Sequence, residues 1–213
     1  EAIAEACGIR LDEVRAANNR LGVLSKVAIA ARGGQLHEIE ARLFHPMEFM
    51  LAKPYEDVAP IASDGWWVED KYDGIRAQVH RSQGKVRIYT RGMEDATGSF
   101  PELVGALEKL PGSAILDGEV LAFREGRALP FAILQQRLAR KSVPEKLRAE
   151  VPVSFLAYDL LFADGELLLD LPIEERRVRL ERQPGVTVSP QRALAESDDL
   201  DELWRGARGR GNE

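Results

Sequence analysis

Cysteine is almost missing from this chain of 213 residues, with Cys7 the single one. One thiol excludes an internal disulfide and a cysteine-built zinc site, and Cys7 reads most simply as a small buried apolar residue. Long apolar runs are missing as well. Nothing approaches the ~20 residues of a membrane-spanning helix, and no secretory leader opens the sequence. These absences fit a cytoplasmic protein with no membrane partner. Two glycine signatures are also lacking. There is no G-x-x-x-x-G-K-[ST] loop and no G-x-G-x-x-G after a strand pattern, which excludes P-loop and Rossmann phosphate cradles. Internal repeats and low-complexity tracts do not occur. The net charge is −6, a global balance that argues against nucleic-acid binding.

Charge is distributed more tellingly than its sum suggests. Between Gly74 and Met93 stand Arg76, Arg81, Lys85, Arg87 and Arg91, with no acid among them. A second basic cluster holds Arg137, Arg140, Lys141, Lys146 and Arg148, interrupted by Glu145. Each reads either as a solvated face or as a track for phosphates.

The stretch that organises the rest is Trp66-Trp67-Val68-Glu69-Asp70-Lys71-Tyr72-Asp73-Gly74-Ile75-Arg76. Trp66 to Val68 is β-prone. From Ile75 onward, Ile75, Ala77 and Val79 alternate with Arg76, Gln78 and His80, the period of a strand. Asp-Gly marks a turn, which places Lys71 at the mouth of a strand-turn-strand unit on a firmly held backbone. A nucleophilic amine needs such a mount, and it reacts as the free base although ordinary lysine titrates near ~10.4. Lys71-x-Asp73-Gly74-x-Arg76 resembles the K-x-D-G-x-R motif of the covalent nucleotidyltransferases: ATP-dependent DNA ligases, RNA ligases and mRNA capping enzymes.

Four further segments match that pattern in order. Lys85 to Thr90 completes a hairpin through Ser82-Gln83-Gly84. Arg91 then leads to Phe100-Pro101-Glu102-Leu103, similar to the family's strand-end arginine and following helix, with Leu103, Leu107 and Leu110 as its buried stripe. Ala114 to Phe123 is an apolar strand with Asp117 and Glu119 at i and i+2, hence on one face. It resembles the family's L-D-G-E run. Pro130 to Lys141 resembles a ligase helix whose stripe of Phe131, Leu134 and Leu138 leaves Arg137 and Arg140 pointing outward. Val151 to Phe162 reads as a buried strand similar to F-D-(L/I)-L, with Tyr158 in the place of the phenylalanine. Leu171 to Arg182 and Asp198 to Arg208 read as helices and Thr187-Val188 as a short strand. Glu213 falls where the glutamate of an E-G-x-x-x-K motif would stand.

The resemblance implies an α+β fold, an adenylation domain of antiparallel sheets and flanking helices over residues 45–213. Short helices over residues 1–44, broken at Gly8 and Gly22, resemble the C-terminal helices of a DNA-binding domain. His45 to Pro54 is the join. It further implies a piece of a longer ligase, without the later lysine motif and the closing OB-type domain, weak in self-adenylation and unable to seal nicks alone.

Implied roles follow residue by residue. Lys71 is the catalytic nucleophile toward ATP. Glu69, Arg76, Arg91, Glu119 and Tyr158 bind the nucleotide, with Tyr158 stacking on the base. Glu119 and Glu213 hold Mg²⁺. Arg137, Arg140 and Lys141 are the candidates for DNA contact. The expected partner is nicked double-stranded DNA, met by a monomer in repair, replication or recombination. Two alternatives stand beside this: an RNA ligase or capping-type enzyme, and a non-catalytic nucleotide- or DNA-binding module.

Overall fold

The computed structural model describes residues 1–51, 65–138, 140, 142–195 and 197–212. Three helices open the chain: α1 (Ala2–Cys7), α2 (Leu11–Leu21) and α3 (Leu24–Arg32). Gly8 and Gly22 end the first two in the left-handed conformation, each at φ 63°, where a side chain is strained. Ala4, Val14, Ala17 and Val27 form a small core of their own. The helices expected as far as residue 44 stop short: after α3 there is one 3-10 turn at Leu36–Glu38. Phe44 adopts φ 65°, which no right-handed helix can pass through.

The strands are β1 (Trp67–Glu69), β2 (Ile75–Ser82), β3 (Lys85–Thr90), β4 (Ala114–Arg124), β5 (Arg127–Ala128), β6 (Val153–Ala163), β7 (Glu166–Leu167) and β8 (Gln191–Ala193). Helices α4 (Pro101–Leu107), α5 (Phe131–Leu134), α6 (Glu145–Glu150), α7 (Ile173–Glu181) and α8 (Leu200–Gly209) lie between and after them. The main sheet is antiparallel in the order β3-β2-β4-β6-β7, with β5 folded back onto β4. Gln83 and Gly84, both at positive φ, make the two-residue turn between β2 and β3 that suits the sheet's twist.

β1 and β2 flank the Lys71 loop but do not pair. β1 pairs with β8 in a separate two-stranded sheet. Three-residue β1 is too short to cover β2, whose two edges are already taken by β3 and β4. The Lys71 loop therefore crosses from one sheet to another.

The main sheet has two different faces. Ala77, Val79, Leu116, Val120, Ala122, Phe155 and Ala157 enter the principal core together with Phe100, Leu103, Leu107 and Leu134. Arg76, Gln78 and His80 from β2 and Asp117 and Glu119 from β4 share the opposite face, by the period-2 alternation of strands.

Candidate active site

The loop from Asp70 to Gly74 carries Lys71, which is exposed. At its far end Gly74 sits hard against β4. A Cβ there would lie 2.4 Å from the Val120 carbonyl oxygen and 2.8 Å from Glu119 Cγ, so glycine is required by close approach. At its near end Asp70 accepts hydrogen bonds from Arg210 Nε and Nη2 at 2.8 and 2.6 Å and from Asn212 Nδ2 at 2.9 Å. The Arg210 contact holds the Asp70 carboxyl below its ordinary range against the opposing effect of burial. Arg210 lies 140 residues downstream, so no local pattern exposes this pairing.

Arg76 reaches across from β2 to Asp117, donating from Nε and Nη2 at 2.8 and 2.9 Å, and also to the Met50 carbonyl at 3.3 Å. Its guanidinium lies 5.7 Å from the Tyr158 ring centroid, within the range of a cation–π contact. Tyr158 donates to Glu119 Oε2 at 3.3 Å. The register explains how Tyr158 arrives there. Asp117 pairs with Asp159 and Gly118 with Ala157, so Tyr158 is the extra residue of a β-bulge, a device that re-aims a side chain. Beside the bulge Gly118 lets the β6 backbone come close: a Cβ would lie 2.2 Å from the Leu156 carbonyl oxygen. Three of the expected site residues, Arg76, Glu119 and Tyr158, thus meet at one end of the polar face, where Gly74, the last residue of the Lys71 loop, packs against Glu119.

Burial pushes the Glu119 carboxyl up to about 7, while the Tyr158 hydroxyl and the Arg76 charge pull the other way. Burial, joined by the Glu119 charge and hydrogen bond, also raises the Tyr158 hydroxyl. A carboxyl held this way ionises readily once a cation arrives. Among the described residues no three His, Cys, Asp or Glu side chains converge as a ready-made metal cage. Magnesium keeps several waters and binds through one or two carboxylates plus substrate phosphates, and Glu119 fits as such a donor.

Glu69 sits at the end of β1, paired with Arg177 at 3.3 Å. Burial raises its carboxyl and Arg177 opposes the rise. It lines a cleft of about 1130 Å³ with Asp70, Tyr72, Leu121, Leu156, Val188 and Arg208 to Asn212. Lys71, Glu119 and Tyr158 are not among the residues lining that cleft.

The basic candidates separate. Arg91 is exposed in the turn after β3, and Arg140 is exposed too, its Nε donating to the Gln136 carbonyl at 2.7 Å. Arg137 does not point outward. It is fully buried, bound by Glu102 and donating to the Val151 and Ser99 carbonyls at 2.8 and 2.9 Å. The helix tightens to a 3-10 turn at Gln135–Arg137, which eclipses positions i and i+3 and sets Arg137 on the same side as buried Leu134. Arg81, from the first basic cluster, is likewise buried and donates to Gln183 at 2.8 Å. Lys141 and Glu213, with residues 52–54 of the join, lie outside the described residues.

Sequence reading also missed what covers the polar face. Residues 44–50 run along β2, and the three polar side chains it turns to this face, Arg76, Gln78 and His80, bind them. His80 Nδ1 accepts from the Phe44 amide at 3.1 Å. Gln78 accepts from the Met47 amide at 2.9 Å and donates to its carbonyl at 3.0 Å. Arg76 takes the Met50 carbonyl. Burial, helped by the charge of His45, pushes His80 down to about 3, so it stays a neutral acceptor. The alternation of polar residues signals a non-core face, but not that backbone will cover it.

The comparisons with known proteins bear on family and fold. A family model described as "ATP dependent DNA ligase domain" matches residues 49–213. The chain is 42% identical over 242 aligned positions to a probable DNA ligase of Koribacter versatilis, covering all of this chain and 42% of that protein. It is 38% identical to DNA ligase 1 of Korarchaeum cryptofilum, covering 93% of this chain and 37% of that one. The chain thus spans about two-fifths of the curated relatives it matches here. Among solved structures it is similar to the ligase domain of M. tuberculosis LigD, with a TM-score of 0.54, 27% identity, and coverage of 69% of this chain and 45% of that one. By sequence and by fold, the chain belongs to the ATP-dependent DNA ligase family.

Proposed function

We propose that the protein carrying these residues seals nicks in duplex DNA through a lysyl-AMP intermediate on Lys71. The observation that carries the reading is the K-x-D-G-x-R lysine mounted beside the Arg76–Asp117–Glu119–Tyr158 cluster, inside the matched domain. In the first step the Lys71 amine attacks the α-phosphorus of ATP. A nitrogen–phosphorus bond forms, the bond to the β-phosphate oxygen breaks, pyrophosphate leaves and the amine releases a proton. In the second, a 5′-phosphate oxygen of the nick attacks the same phosphorus and the amine leaves, regaining its proton. In the third, the 3′-hydroxyl attacks the 5′-phosphate, loses its proton and displaces AMP.

The chain's own residues supply position and charge. Arg76 and Arg91 present guanidinium groups to phosphate or nearby polar atoms of the nucleotide, and fixed cations aimed at developing negative charge lower the barrier. Tyr158 offers its ring to the base, and Glu69 reads the base edge. Glu119, with Glu213, would hold Mg²⁺, which supplies charge neutralisation at the phosphates when bound. Arg140 and Lys141 track DNA phosphates. Residues 1–44 are the last helices of a DNA-binding domain, and 45–213 belong to the adenylation domain. Their separate small core and the family match beginning at residue 49 support that division.

The test is nick sealing by the longest natural chain bearing these residues. Sealing of a 5′-phosphorylated DNA nick with ATP, and not with GTP or NAD, is expected. Labelling by GTP or use of NAD would overturn the assignment.

A further inference from the structure

Asp70, Arg210 and Asn212 stand outside every role assigned above, yet they hold the residue bonded directly to Lys71. The loop that carries the nucleophile is five residues long and is fixed at its last residue, where Gly74 has no space to move against β4. Its first residue is held by polar contacts. Asp70 is gripped by three hydrogen bonds of 2.6 to 2.9 Å, two from the Arg210 guanidinium and one from the Asn212 amide. The donors follow directly on α8, which ends at Gly209. Arg210 and Asn212 are themselves set by backbone bonds to that helix, Arg210 N to the Ala207 carbonyl at 3.0 Å and Asn212 N to the same carbonyl at 2.9 Å. Asn212 is buried, and Asp70 is largely so, with 18% of its side chain exposed.

From this geometry we propose that Asp70, Arg210 and Asn212 form a positioning latch for Lys71, joining the end of α8 to the near end of the nucleophile loop. The proposal rests on Lys71 being the nucleophile. A two-point mount fixes the path of a short loop, whereas a one-point mount leaves Lys71 to search. Reacting atoms must meet at about 3–3.5 Å in line, so a loosened loop slows the chemical step more than it weakens nucleotide binding. Arg210 is more than half exposed, and exposed ion pairs contribute little to overall stability. The latch therefore acts on the loop and leaves folding nearly unchanged.

The experiment measures AMP-adduct formation on the longest natural chain over a range of ATP concentrations. The variants are Asp70→Asn, Arg210→Gln, Arg210→Lys and the Asp70→Asn/Arg210→Gln double. The single variants should lower the rate at saturating ATP about tenfold, with the half-saturating ATP concentration changed less than twofold and the Tm within a few degrees. The double should be no slower than the slower single, because both remove one contact. Arg210→Lys should recover part of the rate, having the charge without the planar fork. Wild-type rates in Asp70→Asn and Arg210→Gln would overturn the latch, as would losses that track Tm or that multiply in the double. A wild-type chain that forms no adduct would instead overturn the Lys71 reading beneath it.

Discussion

On one face of the main sheet, Ala77, Val79, Leu116, Val120 and Ala122 meet the helices through hydrocarbon. On the other, one residue along the same strands, Arg76, Gln78 and His80 meet a length of backbone, while Asp117 and Glu119 pair with Arg76 and Tyr158 at the end where Gly74 of the Lys71 loop packs. Both faces are buried over much of their area, but they are buried by different means. The apolar face gains from area removed from water. The polar face is tolerable because nearly every donor and acceptor finds a partner, and its charges are retained where a charged substrate would meet them. Stability should therefore be concentrated on one side of the sheet and chemistry on the other.

Substitutions can break that contrast. Leu116→Ala, in the middle of the apolar face, should cost about 2–5 kcal/mol in urea unfolding, with a cost that does not vary with pH. Arg137→Ala should cost about 3 kcal/mol, because it strips buried carbonyls of their donor and separates an ion pair. Its effect on DNA affinity should vanish once the folded fraction is matched. A selective loss of DNA binding at unchanged Tm would return Arg137 to the DNA-facing role expected of it.

The polar face should respond to pH. Glu119 has a folded value raised to about 7, so its contribution to stability is full below the unfolded value near 4.5 and is lost as pH rises through 7. Glu119→Gln should therefore gain on the parent by up to about 3 kcal/mol across that window, read by unfolding at several pH values. His80 is lowered to about 3 and acts in the opposite sense, its contribution present above 6.5 and lost as pH falls toward 3. The two oppose each other between pH 4.5 and 6.5. A Glu119→Gln difference that is flat with pH would remove the distinction between the faces. The smallest effect is expected for Tyr158→Phe, which keeps the ring and deletes a hydroxyl bond worth about 1 kcal/mol. ATP binding should hold, and the Glu119 value should rise.

The contrast also sorts what was legible in the sequence. Period-2 alternation revealed both faces of β2 and β4, glycines placed the helix stops, and the lysine motif pointed to the loop. Tyr158 was read in its place by resemblance, but the bulge that aims it depends on pairing with β4 and has no signature within β6 itself. Arg137 was misread because its charge was taken to turn it outward; three residues from Leu134 it already flanks the buried stripe, and the 3-10 turn brings it fully into line. β8 and the Asp70–Arg210 contact were missed for one reason: each joins segments more than 100 residues apart. Local pattern carries no record of such pairings.

The most direct measurement is the position of the AMP adduct. The longest natural chain would be incubated with ATP and Mg²⁺, digested and mapped by mass, beside Lys71→Ala. One AMP is expected, acid-labile as a phosphoamide should be, on the peptide containing Lys71 and none in the variant. An adduct on another residue, or one that persists in Lys71→Ala, would contradict it.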